Sequence, residues 1–267
     1  MSRWQNYFQD KRVWITGASS GIGAAMVRAL GSAGIATLAS ARRIDRLDEI
    51  AASYPSVQTL ALDISELDGI SETVTRGWDL LGCIDVLINN AGVSQRSLFA
   101  ETDPEVLERI LQVNMTGPMR LTREVLSRML TQGAGHLVSV TSYAAFVPTP
   151  LRTVYTAAKM GLHGLFDALR AEVGPSGITV TLVVPGFVRT EISTNSLDAA
   201  GNPRGVMDSN QATGMSPEDA ADRILTGIAR RRQQFVVATT PRLRFARLLR
   251  TLIPRVFWRI LERADVK

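Results

Sequence analysis

Seven largely apolar runs punctuate the chain, at 12–16, 35–41, 57–62, 84–88, 136–141, 179–184 and 235–238. Most are continuous in Val, Ile and Leu rather than alternating, the pattern of strands covered on both faces. Between them lie stretches with apolar positions at helical spacing, beginning near Gly21, Asp45, Leu67, Pro104, Leu151 and Pro217. Strands alternating with helices predict repeated βαβ units and an α/β fold on a parallel sheet. Two helix starts carry their own signals: Asp103 precedes Pro104, and Ser216 precedes Pro217, with Asp219 placed as in a capping box. Residues 195–214 are polar and hold Gly201, Pro203, Gly205 and Gly214, which predicts a long loop of the kind that covers a site.

The 267 residues suit one large α/β domain, and 45% hydrophobic with 21% charged residues excludes a disordered chain. A lone cysteine, Cys83, closes no internal disulfide and reads as a small core residue. With only His136 and His163 beside it, no metal site is expected, and both histidines read as structural. The N-terminal segment lacks the apolar core of a signal peptide, and no run nears the roughly 20 apolar residues that span a bilayer. The expectation is a cytoplasmic protein, with peripheral membrane contact left to the tail. The net charge of +5 is uneven: residues 230–267 hold eleven Lys and Arg against Glu262 and Asp265, while 1–229 hold 19 basic and 23 acidic side chains. A basic tail on an acidic body argues against nucleic acid as a partner. It also predicts a division into a nucleotide-binding catalytic domain, 1–240, and a helical tail, 241–267.

Two places along the body carry chemistry. The first apolar run ends in Thr16-Gly17-Ala18-Ser19-Ser20-Gly21-Ile22-Gly23 and continues into a helical pattern. A glycine-rich turn there lets backbone N–H groups and a helix N-terminus face a phosphate, so Gly17, Ser19, Ser20, Gly21, Ile22 and Gly23 are cofactor candidates. The second run ends in Arg42-Arg43 with no acid at that point. An acid would suit the ribose 2′-hydroxyl of NAD, whereas arginine suits the 2′-phosphate of NADP(H), with Arg42 as main contact and Arg43 or Ser19 assisting.

The second place is Tyr155-x-x-x-Lys159, whose spacing puts both side chains on one helix face. A free tyrosine is a poor proton donor near neutrality. An ammonium at about 4 Å, with an effective dielectric of about 20, would favour the phenolate by roughly 4 kcal/mol. Ser142 follows the fifth apolar run, at the sheet edge where such folds place chemistry, and its hydroxyl can stabilise charge developing on a substrate oxygen. The helical pattern from Pro104 to Leu130 is interrupted at Gly117-Pro118. Pro118 has no N–H, so the Asn114 carbonyl loses its helical partner.

The glycine turn, Asn89-Asn90-Ala91-Gly92, Asn114, Ser142, Tyr155-x-x-x-Lys159 and Pro185-Gly186 occur here in one order, spanning about 12–240. In that order they resemble the short-chain dehydrogenase/reductase family. The resemblance implies a doubly wound, seven-stranded parallel Rossmann sheet in three layers and an NADP(H)-dependent oxidoreductase interconverting carbonyl and alcohol. Asn114, Ser142, Tyr155 and Lys159 would be catalytic, with Asn114 joined to Lys159 through a water. Asp63, beside Ile64, would hold the adenine amino group, or else cap the helix after Ser65. Asn90, Ala91 and Gly92 would pack on the adenosine ribose, and Val188 and Thr190 would take the nicotinamide carboxamide. A homodimer or homotetramer would be usual. A non-catalytic NADP-sensing module and a sugar-nucleotide epimerase fit this set of residues less well, and a steroid or small-ketone reductase remains the alternative within the family.

The stretch 193–221 and the tail resemble the branch around dehydrogenase/reductase member 7B, which implies a lipid-like carbonyl substrate such as acyl- or alkyl-dihydroxyacetone phosphate, hence lipid metabolism. In the tail, Arg244, Arg247, Arg255, Arg259 and Arg263 form one helical stripe and a set of apolar residues including Phe245, Leu248 and Leu252 another, with Pro254 breaking the helix. Residues 241–263 read either as a helix lying on an anionic membrane surface or as one packed on its own domain or across a dimer.

Overall fold

The computed structural model describes residues 4–263, so tail positions 264–267 lie outside the described residues. Seven strands form one parallel sheet: β1 Val13–Thr16, β2 Thr37–Ala41, β3 Val57–Ala61, β4 Val86–Asn89, β5 Gly135–Val140, β6 Ile178–Pro185 and β7 Gln234–Val237, in the order β3-β2-β1-β4-β5-β6-β7. Each expected strand is present. The helices are α1 Gln5–Phe8, α2 Gly21–Ser32, α3 Ile44–Ala51, α4 Ile70–Leu81, α5 Pro104–Leu111, α6 Gly117–Gln132, α7 Thr153–Val173, α8 Ser209–Ala212, α9 Pro217–Ala229, α10 Pro241–Leu252 and α11 Pro254–Glu262. The arrangement is a three-layer, doubly wound Rossmann fold.

Alternation of side chains along each strand divides the core into two layers. Val13 and Ile15 join Val86, Ile88, Val138 and Val183 on one face, beneath α2, α3 and α9. Trp14 joins Leu87, Leu137 and Leu182 on the other, beneath α4, α6 and α7. Burial on both faces explains the unbroken apolar runs. The chain winds outward from β1 to β3, then returns to place β4 against the other side of β1. That reversal opens a crevice past the carboxyl ends of β1 and β4.

Local departures have local causes. Ser216 caps α9 as expected, its Oγ accepting from Asp219 N at 3.0 Å, whereas Asp103 makes no side-chain cap on α5. The interruption expected at Gly117-Pro118 lies just upstream. Residues Gln112–Thr116 form a π-helical turn, and Gly117 and Pro118 open α6. The wide turn shifts the hydrogen-bond pattern past the N–H that proline cannot supply, so the helical path continues into α6. The 195–214 segment is better ordered than a bare loop. It contains α8 and bridges Leu197 to both Gln95 and Pro203.

Cys83 departs from its expected core position. It is half-buried, and its Sγ accepts from Arg12 Nη1 at 3.1 Å. His136 is buried between Tyr7 Oη and Thr181 Oγ1, each 2.8 Å from one of its ring nitrogens, which joins α1 to β5 and β6. His163, midway along α7, contacts Gln234 and Asp167.

Candidate active site

The turn after β1 exists because two of its residues adopt backbone angles that side chains resist. Gly17 and Gly21 have φ of 65° and 54°. A Cβ on Gly17 would lie 2.7 Å from Ala91 Cα, and one on Gly23 would strike the Gly17 carbonyl. Glycine therefore lets β1, the start of α2 and the 90–92 segment converge. Asn90 ties the strands at this point, its Nδ2 donating to the carbonyls of Thr16 at 3.0 Å and Gly17 at 3.2 Å. Thr190 closes the opposite wall, 3.0 Å from where a Gly21 Cβ would sit.

A cleft of about 500 Å³ runs from this turn along the sheet edge. Every nominated residue lines it except Gly23 and Asn114. Gly23 instead permits the close helix packing just described. Asn114 is fully buried behind Gly92, its side chain locked by Val93 N and by the carbonyls of Val93 and Ile110. A Cβ on Gly92 would lie 3.0 Å from Asn114 Oδ1 and 3.4 Å from Lys159 Nζ, so the two side chains meet over that glycine.

The two arginines after β2 divide their roles. Arg43 Nη2 donates to Ser19 Oγ at 3.2 Å and Ser20 Oγ at 3.1 Å, across the glycine turn. Arg42 instead stands 3.9 Å from Asp63 Oδ2 and is well exposed. Asp63 Oδ1 accepts from Ser65 N and Oγ, so the local turn role takes one carboxylate oxygen and leaves the other toward Arg42. Glu191, facing Arg43 and Arg46 at 3.9 and 3.4 Å, ties the following loop to this end of the cleft.

Tyr155 and Lys159 project from α7 toward Ser142, which follows β5. Thr141, its neighbour, is structural, donating to Val183 O at 3.1 Å. Lys159 Nζ donates to Val140 O at 3.3 Å and lies 5.9 Å from the Tyr155 ring centroid. Burial therefore governs both groups. It raises the Tyr155 phenol above its ordinary value, against smaller lowering influences from hydrogen bonding with Ser142 and from Arg152. It lowers the Lys159 ammonium to about 8. Near neutrality the phenol keeps its proton and the lysine its charge.

Several site residues had no signal in the sequence. Arg152, at the start of α7, lacks a side-chain cap. Buried Gln95 supplies one from 59 residues away, its Oε1 accepting from Val154 N at 3.1 Å and Tyr155 N at 3.4 Å. Asp208, on the loop before α8, gathers Arg152 at 2.7 Å, Arg204 at 3.5 Å and Arg96 at 3.6 Å. Gln211 donates to the Val188 carbonyl at 2.5 Å. Leu243, from α10, also lines the cleft.

A parallel Rossmann sheet with this glycine turn and this tyrosine–lysine helix defines a class, and comparison identifies it. The chain belongs to the short chain dehydrogenase family, whose model matches residues 11–200. It is thereby an oxidoreductase of a nicotinamide-dependent family. Among curated proteins, dehydrogenase/reductase SDR family member 7B of Bos taurus is 35% identical, over 97% of this chain and 82% of that protein. Among solved structures, a short-chain dehydrogenase from Streptomyces avermitilis superposes with a TM-score of 0.81 at 28% identity, covering 96% of this chain and 99% of that one. A short-chain dehydrogenase from Sphingobium yanoikuyae, in complex with NADPH, gives 0.75 at 29% identity, covering 96% and 98%.

Proposed function

We propose that this protein is an NADP(H)-dependent carbonyl reductase in which Tyr155 is the proton donor. The observation that carries the reading is the meeting of Ser142, Tyr155 and buried Lys159 at one end of a cleft whose other end is the Gly17–Gly23 turn. The cradle fits a dinucleotide. Side chains are absent where backbone and phosphate would approach, and Arg42 and Arg43, at the same end of the cleft, would hold a 2′-phosphate. Ser19, Ser20 and Ile22 would surround the diphosphate, Asp63, Ile64 and 90–92 the adenosine, and Val188 and Thr190 the carboxamide. When bound, the nicotinamide supplies a hydride to the carbonyl carbon.

The chain's own residues then handle the oxygen. The Ser142 hydroxyl holds the carbonyl oxygen, and Tyr155 Oη transfers its proton there as the carbon–oxygen double bond becomes a single bond. The Lys159 charge favours the phenolate left behind, and Asn114, fixed beside it, links Lys159 to a proton source. The lining joins Val113, Val147, Leu197 and Leu243 to Arg109 and to Arg152, the latter already paired with Asp208. That mixture supports a ketone with a hydrocarbon body and an anionic group, the chemistry of an acyl-dihydroxyacetone phosphate.

Steady-state reduction of a ketone panel with NADPH and with NADH tests the assignment. Tyr155→Phe lowers kcat by orders of magnitude while NADPH still binds. Arg42→Ala raises KM for NADPH tenfold or more with little change for NADH, from loss of about 1.5–3 kcal/mol. A Tyr155→Phe protein reducing ketones at the parental rate refutes the proton donor. Equal effects of Arg42→Ala on both cofactors refute the phosphate reading.

A further inference from the structure

The two tail readings left open by the sequence are not exclusive, because α10 has two apolar faces. One packs on the domain: Leu243, Ala246 and Leu249 join Tyr143, Val147 and Val184, and α11 adds buried Phe257 and partly buried Leu261. Tyr143 Oη donates to the Leu243 carbonyl at 2.9 Å, the Arg250 guanidinium donates to the Phe146 carbonyl, and Arg247 lies 3.9 Å over the Phe146 ring. The other face is bare. Phe245, Leu248 and Leu252, one helical turn apart, are 62%, 55% and 66% exposed. Ile253, Val256, Trp258 and Ile260 continue the exposed apolar surface onto α11.

Charge says what covers it. Residues 241–263 hold Arg242, Arg244, Arg247, Arg250, Arg255, Arg259 and Arg263, of which Arg247 and Arg250 are engaged with Phe146 on the packed side, and Glu262 is the one acid among them. A symmetric contact with a second copy would bring this basic face against itself, which like charges oppose. Apolar side chains ringed by arginines match a surface that is apolar beneath and anionic above. We infer that the exposed face of α10 and α11 docks on an anionic lipid bilayer, with both helices lying along it. At about 18 Å and about 14 Å the helices are far shorter than a hydrocarbon core of about 30 Å, and no helix among the described residues is long and apolar enough to cross a membrane. Because Leu243 on the opposite face of α10 lines the cleft, docking sets the cleft beside the bilayer. A carbonyl compound dissolved in lipid then has a short path to Tyr155.

The docking stands apart from the chemistry proposed above, so its test reads binding and not turnover. The full chain is sedimented with vesicles of phosphatidylglycerol and phosphatidylcholine, and with vesicles of phosphatidylcholine alone. It pellets with the anionic vesicles at low salt and is released as salt is raised. Phe245→Ser/Leu248→Ser/Leu252→Ser, all exposed positions, lowers the partition coefficient at least tenfold while circular dichroism and NADPH binding stay parental. Arg244→Gln/Arg255→Gln/Arg259→Gln lowers it about fivefold for each arginine. A full chain that stays in the supernatant at low salt overturns the inference, as do both triple variants pelleting like the parent. A parental dimer that ignores vesicles and is split by the serine variant overturns it too, and assigns the face to a second copy.

Discussion

At the scale of single residues, burial pushes the two titrations on α7 apart. Tyr155 rises and stays a phenol across the working range, while Lys159 falls from 10.5 to about 8. A lysine whose value is depressed is charged below it and neutral above, so the charge that favours the phenolate disappears as pH passes about 8. NADPH-dependent kcat should therefore decline above pH about 8, and that limb should vanish in Lys159→Met, whose lower rate stays flat there. A pH profile of kcat with a saturating soluble ketone checks this; an unchanged limb in the variant would assign it elsewhere. The pair itself was legible because residues four apart share a helix face. Its electrostatics were not, because the Lys159 ammonium goes to the Val140 carbonyl at the end of β5, a partner that only the packing of α7 on the sheet supplies.

At the scale of elements, α7 has an N-terminus capped by another segment. Gln95 Oε1 meets the N–H groups of Val154 and Tyr155, and Gln95 Nε2 is held by Ser97 Oγ at 3.2 Å and Thr102 Oγ1 at 3.5 Å. Loss of a cap costs about 1 kcal/mol, and here it also frees the turn that carries Tyr155. Leu151, just before this turn, has φ of 65°, a strained value for leucine, and its carbonyl accepts from Ser97 N at 3.1 Å. Gln95→Met, similar in size but without the acceptor, should lower the melting temperature by a few degrees and kcat more than tenfold. KM for NADPH should hardly change. Gln95→Glu, which keeps an acceptor, should recover most of kcat, whereas a melting shift with parental kcat would limit Gln95 to stability. Ser216 before Asp219 was readable as a cap because both partners are three residues apart. Gln95 was invisible because its partners lie across the fold.

At the scale of the whole molecule, α1 is fastened to the sheet by a buried chain running from Tyr7 Oη through His136 to Thr181 Oγ1 and the Arg232 carbonyl. Burial, with Arg231 and Lys11 nearby, lowers His136 to about 3 from 6.5. The folded state thus refuses a proton that the unfolded chain accepts below pH 6.5. Stability contributed by neutral His136 is present above that value and lost as pH falls toward 3, at about 1.4 kcal/mol per pH unit. Urea unfolding at stepped pH should show this slope in the parent and its loss in His136→Gln.

Determined by the sequence alone were the strands, because two-sided burial demands unbroken apolar runs. So were the glycine turn and the Tyr155–Lys159 spacing, because their chemistry depends on neighbours within a few residues. Left to the tertiary structure were the cap on α7, the three arginines on Asp208, the direction of the Tyr155 shift, and which face of α10 stays bare. Each depends on desolvation or on partners tens of residues away, and no local pattern encodes a distance through space.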